Sequence, residues 1–282
     1  MERREAQSSK SKKAGKLKSI LSDLTLRRGI LSIVIFLILW EVGFRFHGWF
    51  GVMVPFIGKI DAPSLVAMRW SEVVLKPGYW ESWYLSFGRV FFGFLVAQVV
   101  GIPFALAMAV NKYFRGMFFP PFEILRPIPP LAWVPASIIF WPTTELSIIF
   151  VTFLGAFYTI VINVLGGARS IDIQYLRAAQ SMGATQWDLF RKIILPGTLP
   201  SIFIGAAVGM GITWEVVLAA EMISGGGQQN GGGLGFFIWS SYMGGVMDQV
   251  IVGMISIGLA GYISSSLIRY IGHISMPWRR MF

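Results

Sequence analysis

The sequence predicts an all-α, polytopic integral membrane protein with six transmembrane helices. Three observations carry this. Of 282 residues, 55% are hydrophobic and 13% charged, far more apolar than a soluble domain of this length. The apolar residues fall in long runs separated by short polar segments, as membrane-spanning helices require. Lys and Arg gather in alternate segments rather than spreading evenly along the chain.

The elements follow in order. Residues 1–28 hold nine Lys and Arg and no core-forming run, so they read as a basic cytoplasmic segment. Residues 18–28 have the pattern of a short amphipathic helix on the membrane surface. Residues 29–282 form the membrane domain. Its first span is Gly29–Phe46, uncleaved because no small-residue cleavage site follows the apolar run. Glu41, near its far end, is expected to reach the interface or a neighbouring helix. Residues 47–82 read as an external loop with an amphipathic piece from Pro63 to Leu75. Trp49, Trp70, Trp80 and Trp83 fit an aromatic belt there. The second span is Tyr84–Val110. Gly93, Ala97, Gly101, Ala105 and Ala109 recur every four residues and give it one small face for close packing. Pro103 predicts a kink.

Asn111–Gly116 reads as a short charged turn. The third crossing, Met117–Pro142, is interrupted by Pro120, Pro121, Pro127, Pro129, Pro130 and Pro135, which argues against a regular helix. Irregular backbone survives in a membrane only where protein or a water-filled cavity satisfies it. Pro127, Pro129, Pro130 and Trp133 are therefore expected to line a translocation pathway. Pro142–Glu145 is an external turn. The fourth span, Leu146–Leu165, carries Tyr158, Thr159 and Asn163 as further candidates for the pathway. After a long polar loop over 167–196, Pro200 opens a fifth span that runs to Ile223, with Gly205 and Gly209 on a small face.

That fifth span holds Trp214, Glu215 and Glu221. A carboxylate in a span costs roughly 3 kcal/mol on insertion scales and tends to face a cavity or a cation. Arg89 and Arg126 are the candidate cations. Glu221 reads as interfacial or structural, or as part of the pathway. Two readings stay open for Glu215: a gate or contact for a substrate ammonium, and an ion pair between helices. Ser224–Gly235 is glycine-rich but has no Lys and no preceding strand, so it is not a phosphate loop. Residues 236–243 read as an interfacial or re-entrant piece. The sixth span is Val246–Ile271, with a small stripe at Ser256, Ala260 and Ser264, and a short basic tail follows.

The composition removes several classes of function. Without Cys there is no disulfide and no thiolate chemistry. His47 and His273 are far apart, so no metal centre is expected. No Gly-x-x-x-x-Gly-Lys-Ser/Thr occurs, so the chain carries no P-loop ATPase site, and no cluster of acid, base and nucleophile is apparent. The net charge of +10 does not point to nucleic acid. Of 24 Lys and Arg, 18 fall in residues 1–28, the 111–116 turn, the 167–196 loop and the stretch from Arg269 onward. The positive-inside rule then places both termini and that loop in the cytoplasm.

The loop from Ile173 to Pro196 is a polar island between two long apolar stretches. Asp172 is placed to cap a first short helix, and Gly183 to stop it in the left-handed conformation. Thr185 with Asp188 forms a capping-box pattern, with Asp in place of Glu or Gln. A second short helix is expected to end before Pro196, with Asp188 and Lys192 paired on it. Ala178 and Ala179 offer a smooth patch for a close approach.

This pattern resembles the cytoplasmic coupling loop of ATP-binding cassette (ABC) importer permeases. Their consensus is Glu-Ala-Ala, three residues, Gly, nine residues, Ile-x-Leu-Pro. Here Ala178, Ala179, Gly183, Ile193, Leu195 and Pro196 match. Arg177 stands in the place of the Glu, as in the branch for taurine, alkanesulfonates, nitrate and bicarbonate. The block Arg126–Pro135 and the run Trp214–Met222 look like the same branch, and the resemblance covers roughly Leu85 to Leu267. The Pro-Ile-Pro-Pro-Leu-Ala-Trp block is closer to taurine-type permeases, whereas the glycine-rich loop departs from them.

The resemblance implies a type I ABC importer (MetI-like) permease fold. It implies an importer of a small anion or zwitterion that works by alternating access at a bacterial inner membrane. Arg177, Ala178, Ala179, Gly183, Ala184, Asp188, Ile193, Leu195 and Pro196 would couple it to the ATPase. The implied partners are two ATPase subunits holding ATP and Mg, a second copy of the chain, membrane lipid, and a periplasmic or lipid-anchored solute-binding protein. The alternative is an ion-coupled secondary transporter or channel. It predicts inverted repeats or several midplane acids, and the sequence has neither.

Overall fold

A computed structural model describes residues 24–51, 60–224, 232–276 and 278. The expectations for residues 1–23 and for most of the glycine-rich loop, 225–231, fall outside the described residues. The chain divides into two units, Met1–Ser71 and Glu72–Phe282.

In the first unit, α1 (Leu24–Phe50) is an apolar helix with a largely exposed surface. Glu41 does reach a neighbouring helix. Its carboxylate accepts hydrogen bonds from Arg45 Nε at 2.6 Å, from Ser64 Oγ at 2.9 Å and from Ser64 N at 3.1 Å. Ser64 lies in the first turn of α2 (Pro63–Val73), the expected amphipathic piece. The carboxylate therefore serves an otherwise free N–H of that turn.

The second unit is a helical bundle. Its elements are α3 (Pro77–Val110), α4 (Lys112–Leu125), a 3₁₀ turn (Pro130–Trp133), α5 (Val134–Phe140), α6 (Thr144–Arg169), α7 (Ile173–Ser181), α8 (Gln186–Leu189), a π-helical turn (Phe190–Ile194), α9 (Leu195–Ile223), α10 (Leu234–Met243) and α11 (Met247–Ser275). Small residues set the packing. Gly93, Ala97, Gly101 and Ala105 are buried along one face of α3. A Cβ on Gly93 would sit 2.9 Å from Thr152, and one on Gly101 would sit 3.4 Å from Ile160. At Gly93 only a missing side chain allows so close an approach, whereas at Gly101 a Cβ would make an ordinary contact.

These contacts also fix direction. Gly93 meets Thr152 and Gly101 meets Ile160, so α3 and α6 run parallel. Gly155 meets Val216 and Gly205 meets Asn163, so α6 and α9 run antiparallel. Gly261 meets Trp214 and Gly272 meets Phe203, so α9 and α11 are antiparallel too. Because α3 and α6 are parallel, residues 111–143 must return from the end of one to the start of the other. α4, the 3₁₀ turn and α5 would span about 21, 8 and 10 Å at standard rises, enough in sum for a hydrocarbon core of about 30 Å.

The structure bears on three expectations. First, among the described residues five helices are long and apolar enough to cross a membrane, and the third crossing, expected to be irregular, is not one of them. Its chain is broken at Pro127–Pro130. Second, Lys112 begins a helix rather than lying in a turn, and that helix runs through Pro120 and Pro121. Asn111 caps it, accepting from Tyr113 N at 2.9 Å and Phe114 N at 3.1 Å. Phe114, Phe118 and Phe122, one turn apart, pack around Phe104 at centroid distances of 5.7, 5.7 and 6.5 Å. That aromatic packing outweighs the two backbone hydrogen bonds the prolines forgo.

Third, the chain neither ends a helix before Pro196 nor opens one at Pro200. Helix is continuous from Gln186 to Ile223. In the π turn, Leu195 N donates to Phe190 O, five residues back. The wider turn shifts the ladder so that Pro196, which has no N–H, follows without a break.

Candidate functional site: the polar loop and the charges within the spans

The polar loop is built by its caps. Asp172 Oδ1 accepts from Gln174 N at 2.9 Å and starts α7. Gly183 has φ +85°, the left-handed stop, and Ala184 N donates to Ala179 O at 3.0 Å. Thr185 Oγ1 accepts from Asp188 N at 3.2 Å while Asp188 Oδ2 accepts from Thr185 N at 3.2 Å, which completes the capping box. Lys192 Nζ lies 2.7 Å from Asp188 Oδ1.

This frame presents apolar side chains outward. Ile173, Tyr175, Met182 and Trp187 are 53%, 67%, 82% and 66% exposed. Ala178 and Arg177 are exposed, whereas Ala179 is buried, so the two alanines do not form one smooth patch. The Ala179 carbonyl instead accepts from Met182 N and Ala184 N in the turn at Gly183. Ala184, Ile193, Leu195 and Pro196 are half-buried along the start of the long helix.

The intramembrane charges form a second cluster. Arg89 on α3 is 2% exposed and Glu221 on α9 is fully buried. Arg89 Nη1 donates to Glu221 Oε1 at 2.8 Å, and Arg89 Nε donates to Glu145 Oε2 at 2.8 Å. Arg89 Nη2 also donates to Glu145 Oε1. Glu221 Oε2 accepts from Gly235 N at 2.8 Å, and Ser86 Oγ donates to both Glu221 oxygens. Ser86 Oγ in turn accepts from Leu234 N at 2.8 Å. One guanidinium and two carboxylates thus tie α3, α6 and α9 together and cap the first turn of α10.

The expected pathway residues do not share one wall. Trp214 is 2% exposed, and its Nε1 donates to Ser264 Oγ at 3.0 Å. Trp214 and Glu221 therefore face the packed interior of this chain, a correction to their place beside an open path. Pro127 and Pro129 are exposed, while Pro130 and Trp133 are half-buried in the 3₁₀ turn, which packs on α6 and α9. Tyr158 packs on Phe122 at 5.7 Å, and Asn163 Nδ2 donates to Thr159 O at 2.8 Å. Glu215 is exposed and has no hydrogen bond or ion pair among the described residues. Neither Arg89 nor Arg126 is its partner, since Arg126 Nη1 pairs with Glu123 at 2.9 Å. Sequence reasoning missed Ser86 and Glu145. The available signal was the lone Arg89 inside an apolar run, which demands acids at its own depth.

Comparison with known proteins agrees with this architecture. A putative ABC transporter permease protein of Methanocaldococcus jannaschii is 40% identical over 197 residues, 70% of this chain and 72% of that one. The nitrate import permease protein NrtB of Leptolyngbya laminosa is 35% identical over 68% of this chain and 67% of its own length. The taurine transport system permease protein TauC of Escherichia coli is 32% identical over 71% and 70%. The solved inward-facing MetNI methionine ABC transporter superposes with a TM-score of 0.50 at 27% identity, covering 71% of this chain and 94% of that one. The model of the binding-protein-dependent transport system inner membrane component matches residues 97–279, and the chain belongs to that family.

Proposed function

We propose that this chain is the transmembrane subunit of an ATP-driven importer of a small charged solute, working by alternating access. The observation that carries it is the loop of α7 and α8, which displays Ile173, Tyr175, Met182 and Trp187 outward from a rigidly capped frame. Exposed apolar groups on a polar loop mark a protein partner rather than a solvated surface. In this reading two ATPase subunits dock there and bring ATP and Mg. A second copy of the chain completes the path, and a solute-binding protein delivers solute to the outer face. The relatives' names favour nitrate- or taurine-class solutes. The 3₁₀ turn, Tyr158, Asn163 and Glu215 are assigned to the path.

The direct test is uptake by proteoliposomes containing the chain, its ATPase and its binding protein. Uptake that proceeds without ATP overturns the reading.

Orientation is part of the proposal: both termini and the α7–α8 loop are cytoplasmic, with residues 111–143 as a sixth crossing. The chain has no Cys, so single-Cys variants give clean labels. An impermeant thiol reagent applied outside intact cells is expected to label Lys76→Cys and to spare Gln186→Cys. The reverse pattern rejects the orientation.

A further inference from the structure

Among the residues assigned to the path, Glu215 is the one of charged type. It lies on α9 eight residues before Ile223, about 12 Å inside the helix end. Ile204, Val208, Gly211 and Glu215 are exposed and follow one another at helical spacing, so they share one face. Toward the inner end, that face opens into a groove of about 480 Å³ between α9 and α11, walled by Phe203, Ile204, Val208 and Tyr270, with Arg269 and His273 at its rim. Gly211 continues the seam outward: a Cβ there would meet only Ser265 Oγ, at 3.9 Å. The seam therefore leads from Arg269 at the inner end to a carboxylate in the outer third.

The two arginines that the sequence offers for that carboxylate are taken: Arg89 is held by Glu145 and Glu221, and Arg126 by Glu123. An uncompensated carboxylate is costly on an otherwise apolar face, so it marks a polar path and a counter-charge that comes from outside the protein.

We propose that Glu215 is a specificity-determining residue that pairs with a positively charged nitrogen on the transported solute. The cargo is then a zwitterion or amine rather than a simple oxyanion. This inference rests on the importer reading.

The experiment uses the full complex in proteoliposomes at saturating solute, so that the membrane step is read rather than capture by the binding protein. The probes are taurine, ethanesulfonate (the same sulfonate without the ammonium), nitrate and bicarbonate. Taurine is expected to enter at least about tenfold faster than the other three, as loss of a charged hydrogen bond predicts. Glu215→Gln is expected to lower taurine uptake by about tenfold. Glu215→Asp, which keeps the charge, should restore part of it. Uptake of ethanesulfonate, nitrate or bicarbonate as fast as taurine overturns the proposal. So does a Glu215→Gln complex that carries taurine like the wild type, the result expected if the carboxylate were merely protonated. A wild-type chain that fails to co-purify with its ATPase instead overturns the importer reading.

Discussion

Arg89→Ala is expected to destabilise the bundle by about 3–5 kcal/mol, the loss typical when one partner of a buried ion pair is removed. The size follows from what is left behind. Glu221 is fully buried, and its remaining donors are Ser86 Oγ and Gly235 N. Two neutral donors do not replace a guanidinium for a charge cut off from water. Glu145 is 35% exposed and recovers some solvation, so most of the cost comes from Glu221. Because Glu221 also holds the first turn of α10, loss of Arg89 should loosen α10 first.

Equilibrium unfolding of the purified chain in micelles measures this. Arg89→Lys should fall between wild type and Ala, because an ammonium is a point charge without the planar fork that serves two carboxylates at once. The double variant Arg89→Met with Glu221→Gln should regain much of the loss, because the fully buried charge is gone and the carboxylate left behind, Glu145, is 35% exposed. An Arg89→Ala variant within about 0.5 kcal/mol of wild type, the range of ordinary surface substitutions, would show that the network is dispensable.

How far the sequence revealed this structure depended on the range of each signal. Local signals were legible. The caps at Asp172 and Thr185, the left-handed Gly183 and the Asp188–Lys192 pair each depend on residues within four positions. The small face of α3 was legible because helical periodicity displays it. The proline-rich stretches were misjudged at two places. At Pro120–Pro121 the deciding contribution is packing on Phe104, a residue on another helix. At Pro196 it is a π turn, which leaves no mark in composition. The charge cluster joins residues 89, 145 and 221, and no period links such separations. The parallel course of α3 and α6 was legible, because the expected crossing between them requires it. Glu215 was visible as an unusual acid, but only the structure shows that both candidate arginines are already occupied.

Gly183→Val is expected to weaken association with the ATPase by about 5–30-fold while the helices still insert. The position has φ +85°, and a Cβ built there meets nothing within 4 Å. Space is therefore not the constraint, and backbone conformation is. A left-handed residue with a Cβ costs about 1–2 kcal/mol, a free energy that corresponds to the stated factor. The loop can escape that strain only by reshaping the turn in which Ala184 N donates to Ala179 O. Any such change moves α7 relative to α8 and so separates Tyr175 and Met182 from Trp187, the exposed apolar groups assigned to the ATPase. Gly183→Asn serves as the control, since Asn adopts the left-handed conformation readily and should stay near wild type. The measurement is co-purification of tagged ATPase with each variant, followed by ATP-driven uptake. Coupling predicts that Val loses binding, or keeps ATP hydrolysis while losing uptake, and that Asn does neither. Normal co-purification together with normal uptake in Gly183→Val would take the α7–α8 loop out of the coupling role. The polar segment that joins α6 to the π turn would then be a connection between spans and nothing more.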